Sequence, residues 1–119
     1  MAVRQVDEAL AITVNLYYTG KNGAALQFAR EMLASGTVAK IKAEPGNLKY
    51  DYFTQLDDPE TILLIDSWTS QEAIDQHHAS PMMETIGKLR EKYDLHMRVE
   101  RYILDENGVP EQDARFIRK

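Results

Sequence analysis

The sequence predicts an α+β fold: one antiparallel sheet with helices on one face. Three observations predict it. Segments whose apolar residues alternate with period two are interleaved with segments of helical period, in the order β-α-β-β-α-β. Gly-, Pro- and Asp-rich turns separate these segments at Thr19–Gly23, Glu44–Asn47 and Asp57–Glu60. At 119 residues and 44% hydrophobic content, the chain has the size and apolar fraction for one domain with one core.

The elements follow in order. Residues 9–18 alternate, with Leu10, Ile12, Val14, Leu16 and Tyr18 sharing one face, which predicts a strand. Residues 24–34 carry Ala25, Phe28, Ala29, Met32 and Leu33 at helical spacing. Gly36 interrupts that helix, and Val38 and Ile41 continue a second helical piece. A strand at 48–55 sets Leu48, Tyr50 and Tyr52 on one face and Lys49, Asp51 and Phe53 on the other. The strand at 61–68 is apolar on both parities. Ile62, Leu64 and Trp68 face one way with Asp66 among them, and Leu63 and Ile65 face the other. Burial on both faces is the expectation: helices cover one, and a second copy of the chain covers the other. Helices at 70–79 and 82–93 follow, the latter burying Met82, Met83, Ile86 and Leu89. The last strand, about 95–104, carries Leu95, Met97, Val99 and Ile103. The domain is expected to span 1–104. Residues 105–119 form a polar tail whose Phe116 and Ile117 could dock on a neighbour. The order is that of the split-βαβ or ferredoxin-like arrangement.

Charge and composition exclude several classes. A formal net charge of −5 without a basic run argues against nucleic acid, which needs a clustered positive face. No apolar stretch reaches membrane-span length, and the first residues lack the apolar region of a signal peptide, so a cytoplasmic location is the expectation. There is no cysteine, hence no disulfide and no thiolate chemistry.

The segment from Trp68 to Pro81 carries the most chemical information. A strand ends in the chain's one tryptophan, and a helix starts at once, with Thr69 and Glu72 fitting a capping box and Ser70 an alternative cap. With Ala73 set at 0° and about 100° per residue, Ile74 lies at about 100°, His77 at about 40° and His78 at about 140°. His77 is thus centred on the apolar face and His78 is at its margin. Pro81 breaks the helix and Met82 and Met83 follow. These residues are the makings of an apolar pocket with one proton-handling group. His77 and His78 point about 100° apart and cannot both face one ion, and no HxH or HxxxH spacing exists, so no metal site is expected.

In these motifs the chain resembles the antibiotic biosynthesis monooxygenase superfamily of small dimeric α+β-barrel proteins. The resemblance runs over about residues 9–104. It rests on Glu44-Pro-Gly-Asn-Leu-Lys-Tyr50, Asp57-Asp-Pro59, Trp68-Thr-Ser70, His77 nine residues after the tryptophan, and Ser80-Pro81-Met82-Met83. Asp66 stands where many members have glutamate, and Met82 where many have a histidine. The resemblance implies a homodimer with sheets packed face to face and a pocket in each subunit. It also implies a monooxygenase that oxidises a quinol or phenol-type aromatic with O2 as co-substrate and no cofactor. Alternatives within and beyond the superfamily are a proton-transfer isomerase on a small metabolite, phosphorylated or not, and a non-catalytic ligand-binding dimer. A phosphorylated substrate would want cations at the pocket mouth, for which Lys88, Arg90 and Arg98 are available. The haem-degrading members are disfavoured: the positions of their second tryptophan and haem ligand are His77 and Gly87 here.

The candidate residues each have two readings. His77 is either a general base, suited by a histidine's ordinary pKa near 6.5, or a buried imidazole bonded to a backbone carbonyl. Trp68, Met82, Met83 and Tyr50 either wall the pocket or fill the core. Asn15 either holds a substrate oxygen or is locally hydrogen-bonded. Asp66 either orients His77 or caps a neighbouring group. His96, on a strand between Leu95 and Met97, is expected to be exposed.

Overall fold

The computed structural model describes residues 10–119. The predicted start of the first strand at Ala9, and Met1–Glu8 before it, lie outside the described residues. Four long strands and four helices occur in the predicted order: β1 (Ile12–Thr19), α1 (Ala24–Ala34), α2 (Thr37–Lys42), β2 (Asn47–Gln55), β3 (Asp58–Trp68), α3 (Gln71–His78), α4 (Met82–Lys92) and β4 (His96–Ile103). A single helical turn, α5 (Glu111–Ala114), lies in the tail.

The sheet order is β2-β3-β1-β4 with every neighbouring pair antiparallel, the ferredoxin-like topology. Register decides which side chains share a face. Across β3, β1 and β4, one row is Asp66–Val14–Arg101, the next Leu64–Leu16–Val99, and the next Ile62–Tyr18–Met97. These rows face the helices. Phe28, Met32, Ile41, Ile74 and Ile86 from the helix layer close over Tyr18, Tyr50, Ile62, Leu64 and Trp68 in one core.

Several local expectations are corrected. Leu48 was placed with Tyr50 and Tyr52, but it is exposed. Asn47 pairs with Trp68 and Lys49 with Ser67, so Leu48 is the extra residue of a β-bulge. The turn before β3 is only Leu56-Asp57; Asp58 already pairs with Gln55, and Pro59 sits in a second register irregularity, where a missing N–H costs nothing to the ladder. Leu33 is exposed on α1. Met97, Val99 and Ile103, the apolar residues of the last strand, are 41, 52 and 58% exposed. They do lie on the helix-facing side of β4, but the helix layer stops short of this edge strand.

On the other face, Leu63 and Ile65 are half-buried, beside Phe53 at 43% exposed. A polar strip runs alongside: Thr13 Oγ1 and Ser67 Oγ are 2.8 Å apart, and Arg98 lies 4.0 Å over the Tyr17 ring. No described helix is long and apolar enough to cross a membrane.

Candidate functional site

Helix α3 is positioned by its cap and by a glycine. Ser70 is the N-cap, its hydroxyl accepting from the Ala73 N–H at 3.1 Å; the Thr69–Glu72 capping box does not form. Thr69 instead packs beside Gly46, and its N–H donates to the Gly46 carbonyl at 2.9 Å. That contact ties the start of α3 to the turn that begins β2, and it brings Glu44 over the helix.

His77 projects from α3 into the interior and is 4% exposed, while His78 is exposed. Its Nδ1 lies 2.7 Å from Glu44 Oε1, and both side chains are largely buried. A carboxylate accepts, so Nδ1 is the nitrogen that donates to Glu44, which leaves Nε2 as the ring's other nitrogen, free to exchange a proton. The imidazole stacks on Trp68 with centroids 4.8 Å apart and planes at 30°, and Tyr50 meets it edge-on at 6.2 Å. The ring is therefore held on three sides by a carboxylate, an indole and a phenol.

A cavity of about 350 Å³ opens beside this cluster, between the sheet and α3 and α4. Its wall includes His77, Trp68, Tyr50, Asp66 and Met83 from the expected set, and it also includes His78, Gln71, Arg90, Arg101 and Tyr18. Apolar side chains such as Val14, Leu16, Leu64, Ile74 and Ile86 complete it. It is open over β4, where Met97, Val99 and Arg101 are exposed.

The structure separates two expected residues from this group. Met82 packs against the core and is not in the cavity wall. Asn15 lies between Ile65 and Glu100 on the opposite sheet face, where its Oδ1 is buried without a hydrogen-bond partner among the described residues. Its odd position in β1 puts it on the parity opposite Val14 and Leu16, away from the helices.

Asp66 does not orient His77; Glu44 does. The Asp66 side chain lies in the cavity wall, 8% exposed, with Oδ1 lacking a hydrogen-bond partner among the described residues. Burial pushes its carboxyl up from the ordinary 3.8 to about 6, with the Trp68 side chain and the Asp66 backbone drawing it partly back. Burial also raises the phenols of Tyr18, Tyr50 and Tyr52 above the usual range, so these remain neutral hydroxyls. Arg90 Nη2 donates to Tyr18 Oη at 3.2 Å. Among the described residues, no three His, Cys, Asp or Glu side chains gather as a metal site.

Glu44, Arg101, Tyr18 and Gln71 are among the polar members that sequence reasoning did not assign to the site. Glu44 was visible only as the first residue of a turn motif. Its partner is 33 residues away, and no local spacing signals such a contact.

The fold and cavity define a class: a small α+β domain with a ferredoxin-like sheet and a ligand-sized cavity beneath its helices. Residues 11–88 match the antibiotic biosynthesis monooxygenase family, and the chain belongs to that family. Among solved structures it is similar to a conserved protein from Methanosarcina mazei Go1, at 22% identity and a TM-score of 0.70, covering 85% of this chain and 99% of that one. It is similar to PA3566 from Pseudomonas aeruginosa at 23% identity and a TM-score of 0.69, over 81% and 95%. It is also similar to SnoaB, a cofactor-independent oxygenase from Streptomyces nogalater, at 17% identity and a TM-score of 0.64, over 78% and 91%. At such identities the likeness to these structures concerns the fold alone. No curated protein matches the chain.

Proposed function

We propose that this protein is a small monooxygenase that oxidises a phenol or quinol with O2, using no metal, flavin or haem, with His77 as the general base. The observation that carries the reading is the His77 imidazole. It is buried in the wall of a mostly apolar cavity and stacked on Trp68, and its Nδ1 is held on the Glu44 carboxylate at 2.7 Å. Fixing Nδ1 as the donor makes Nε2 the atom that takes the substrate's hydroxyl proton. The resulting anion is electron-rich enough to reduce O2 itself. A quinol plus O2 then gives a hydroxyquinone and water: one oxygen atom enters the ring, and the other leaves with two substrate hydrogens. The apolar wall of Trp68, Ile74 and Met83 keeps water from the anion. The name of SnoaB, a cofactor-independent oxygenase, is consistent with this chemistry. A binding-only role would be favoured by a His77 walled off from any cavity, which is not its position here.

The working unit in this reading is a homodimer, with the open sheet face covered by the same face of a second copy. The half-buried Leu63 and Ile65 on that face support it, as does Asn15 Oδ1, buried there without a partner among the described residues. The exposed Phe116 and Ile117 of the tail would dock on the partner.

The test is oxygen uptake over a panel of quinols and phenols, with metal chelator present, on wild type, His77→Ala and His78→Ala. His77→Ala should lower kcat by roughly 10²–10⁴-fold, the usual worth of a general base, and His78→Ala should change it little. Equal rates in wild type and His77→Ala would remove the histidine from the mechanism. Loss of activity on chelation would remove the metal-free reading.

A further inference from the structure

We propose that the substrate carries an anionic substituent and that Arg90 receives it, which makes a hydroxylated aromatic acid the preferred substrate class. This rests on the oxygenase reading for the ring hydroxyl, but the anion seat follows from Arg90 itself.

Arg90 enters the cavity wall from α4. Its Nη2 bonds the neutral Tyr18 hydroxyl at 3.2 Å, and its Cζ lies 5.7 Å from the Tyr18 ring centre. Its Nε is buried and has no hydrogen-bond partner among the described residues. Lys42, Lys88, Lys92 and Arg98 each pair with a carboxylate, whereas Arg90 pairs with none among the described residues. A guanidinium drawn into an apolar wall with a buried N–H unmet carries a desolvation cost, and an anion within the cavity would offset it. The fork of Nε and Nη suits an oxyanion in bidentate fashion.

Two further observations locate and orient the ligand. Arg101, also in the wall and without an ion pair among the described residues, lies exposed at the open side over β4. It adds positive potential along the way in. On the cavity floor, Trp68 pairs with Ile12 while Tyr18 pairs with Ile62, so the two aromatic residues stand at opposite ends of the β1–β3 ladder. Trp68 carries the His77 stack and Tyr18 carries Arg90. A ligand with its acid group on Arg90 therefore extends along the cavity floor in the direction of Asp66 and Trp68. A neutral quinol has no group to fix that orientation.

The probe pair is 2,5-dihydroxybenzoate and hydroquinone, which differ by one carboxylate. Trp68 is the only tryptophan and stands in the cavity wall, so its fluorescence reports occupancy under anaerobic conditions, where no turnover occurs. The acid should bind wild type roughly tenfold or more tightly than the neutral quinol, the scale of one charge-assisted hydrogen bond. Arg90→Gln should bring the two affinities within about threefold. Arg90→Lys keeps the charge and should retain part of the preference, which guards against a fold defect in the glutamine variant. Equal affinities in wild type, or a preference undiminished in Arg90→Gln, would overturn the proposal. The two readings fail separately. A carboxylate preference without oxygen uptake leaves the anion seat standing and sinks the oxygenase. Oxygen uptake on neutral quinols without that preference does the reverse.

Discussion

A buried carboxyl with one oxygen unmet is a cost to the fold, and Asp66 is such a group. Its pKa is about 6 in the folded protein against an ordinary 3.8, so between those values the folded chain binds the extra proton. Stability contributed by this group is therefore highest below about pH 4 and falls as pH rises through 6. The full loss is at most about 3 kcal/mol, from some 1.4 kcal/mol per pKa unit. Asp66→Asn has the same shape without the charge. It is expected to be more stable than wild type at pH 7 by up to that amount, with the advantage shrinking toward pH 4. Urea unfolding of both proteins from pH 4 to 7.5 measures this. A pH-independent difference would mean that the carboxyl is not desolvated as described. His77 has a different environment, because its Nδ1 has the Glu44 carboxylate as acceptor, whereas Asp66 Oδ1 has no donor among the described residues.

At the scale of elements, the His77 cluster depends on how the turn before β2 seats on α3. Gly46 has φ +86°, and a Cβ there would meet the Ala73 Cβ at 2.6 Å and Thr69 Oγ1 at 2.8 Å. Gly46→Ala therefore combines left-handed backbone strain with a steric clash, for roughly 2–4 kcal/mol of destabilisation. Gly108 also has positive φ, +67°, but open space around it, so Gly108→Ala should cost only about 1 kcal/mol. Thermal and denaturant unfolding of the two variants separates strain from clash. Similar losses in both would show that the turn–helix contact contributes little. The glycine was visible in the sequence as part of a Glu-Pro-Gly-Asn turn. The contact that requires it was not, because Ala73 lies 27 residues further along the chain.

For the whole molecule, the second sheet face sets the expected assembly. One layer of helices satisfies Ile62, Leu64 and Trp68, and no described helix covers Leu63, Ile65 or Phe53. A sheet-on-sheet homodimer would bury an area in or above the standard range of about 1,200–2,000 Å². Sedimentation at micromolar concentration should give twice the 13.6 kDa chain mass. Ile65→Asp should shift it toward monomer, because a charge opposite its own symmetry-related face would be desolvated without a partner. A monomeric wild type would defeat the dimer.

Element order, the strand and helix periods and the inward aim of His77 were legible in the sequence, because each is a property of contiguous residues. A rotation of about 100° per residue places His77 beside Ala73 and Ile74 whatever the rest of the chain does. The same local logic put Asn15 and Val14 on opposite faces of β1, though not which face holds the cavity. Tertiary structure decided the rest. It chose Glu44 over Asp66 as the imidazole's partner, left Asp66 and Arg90 each with a buried polar atom unmet, brought Arg101 into the cavity wall and kept Asn15 and Met82 out. It also left Met97 and Val99 uncovered at the opening. Each of these depends on strand register, a bulge at Leu48 or the seating of a helix on the sheet. Those are set by contacts between segments tens of residues apart, which no spacing within one segment encodes.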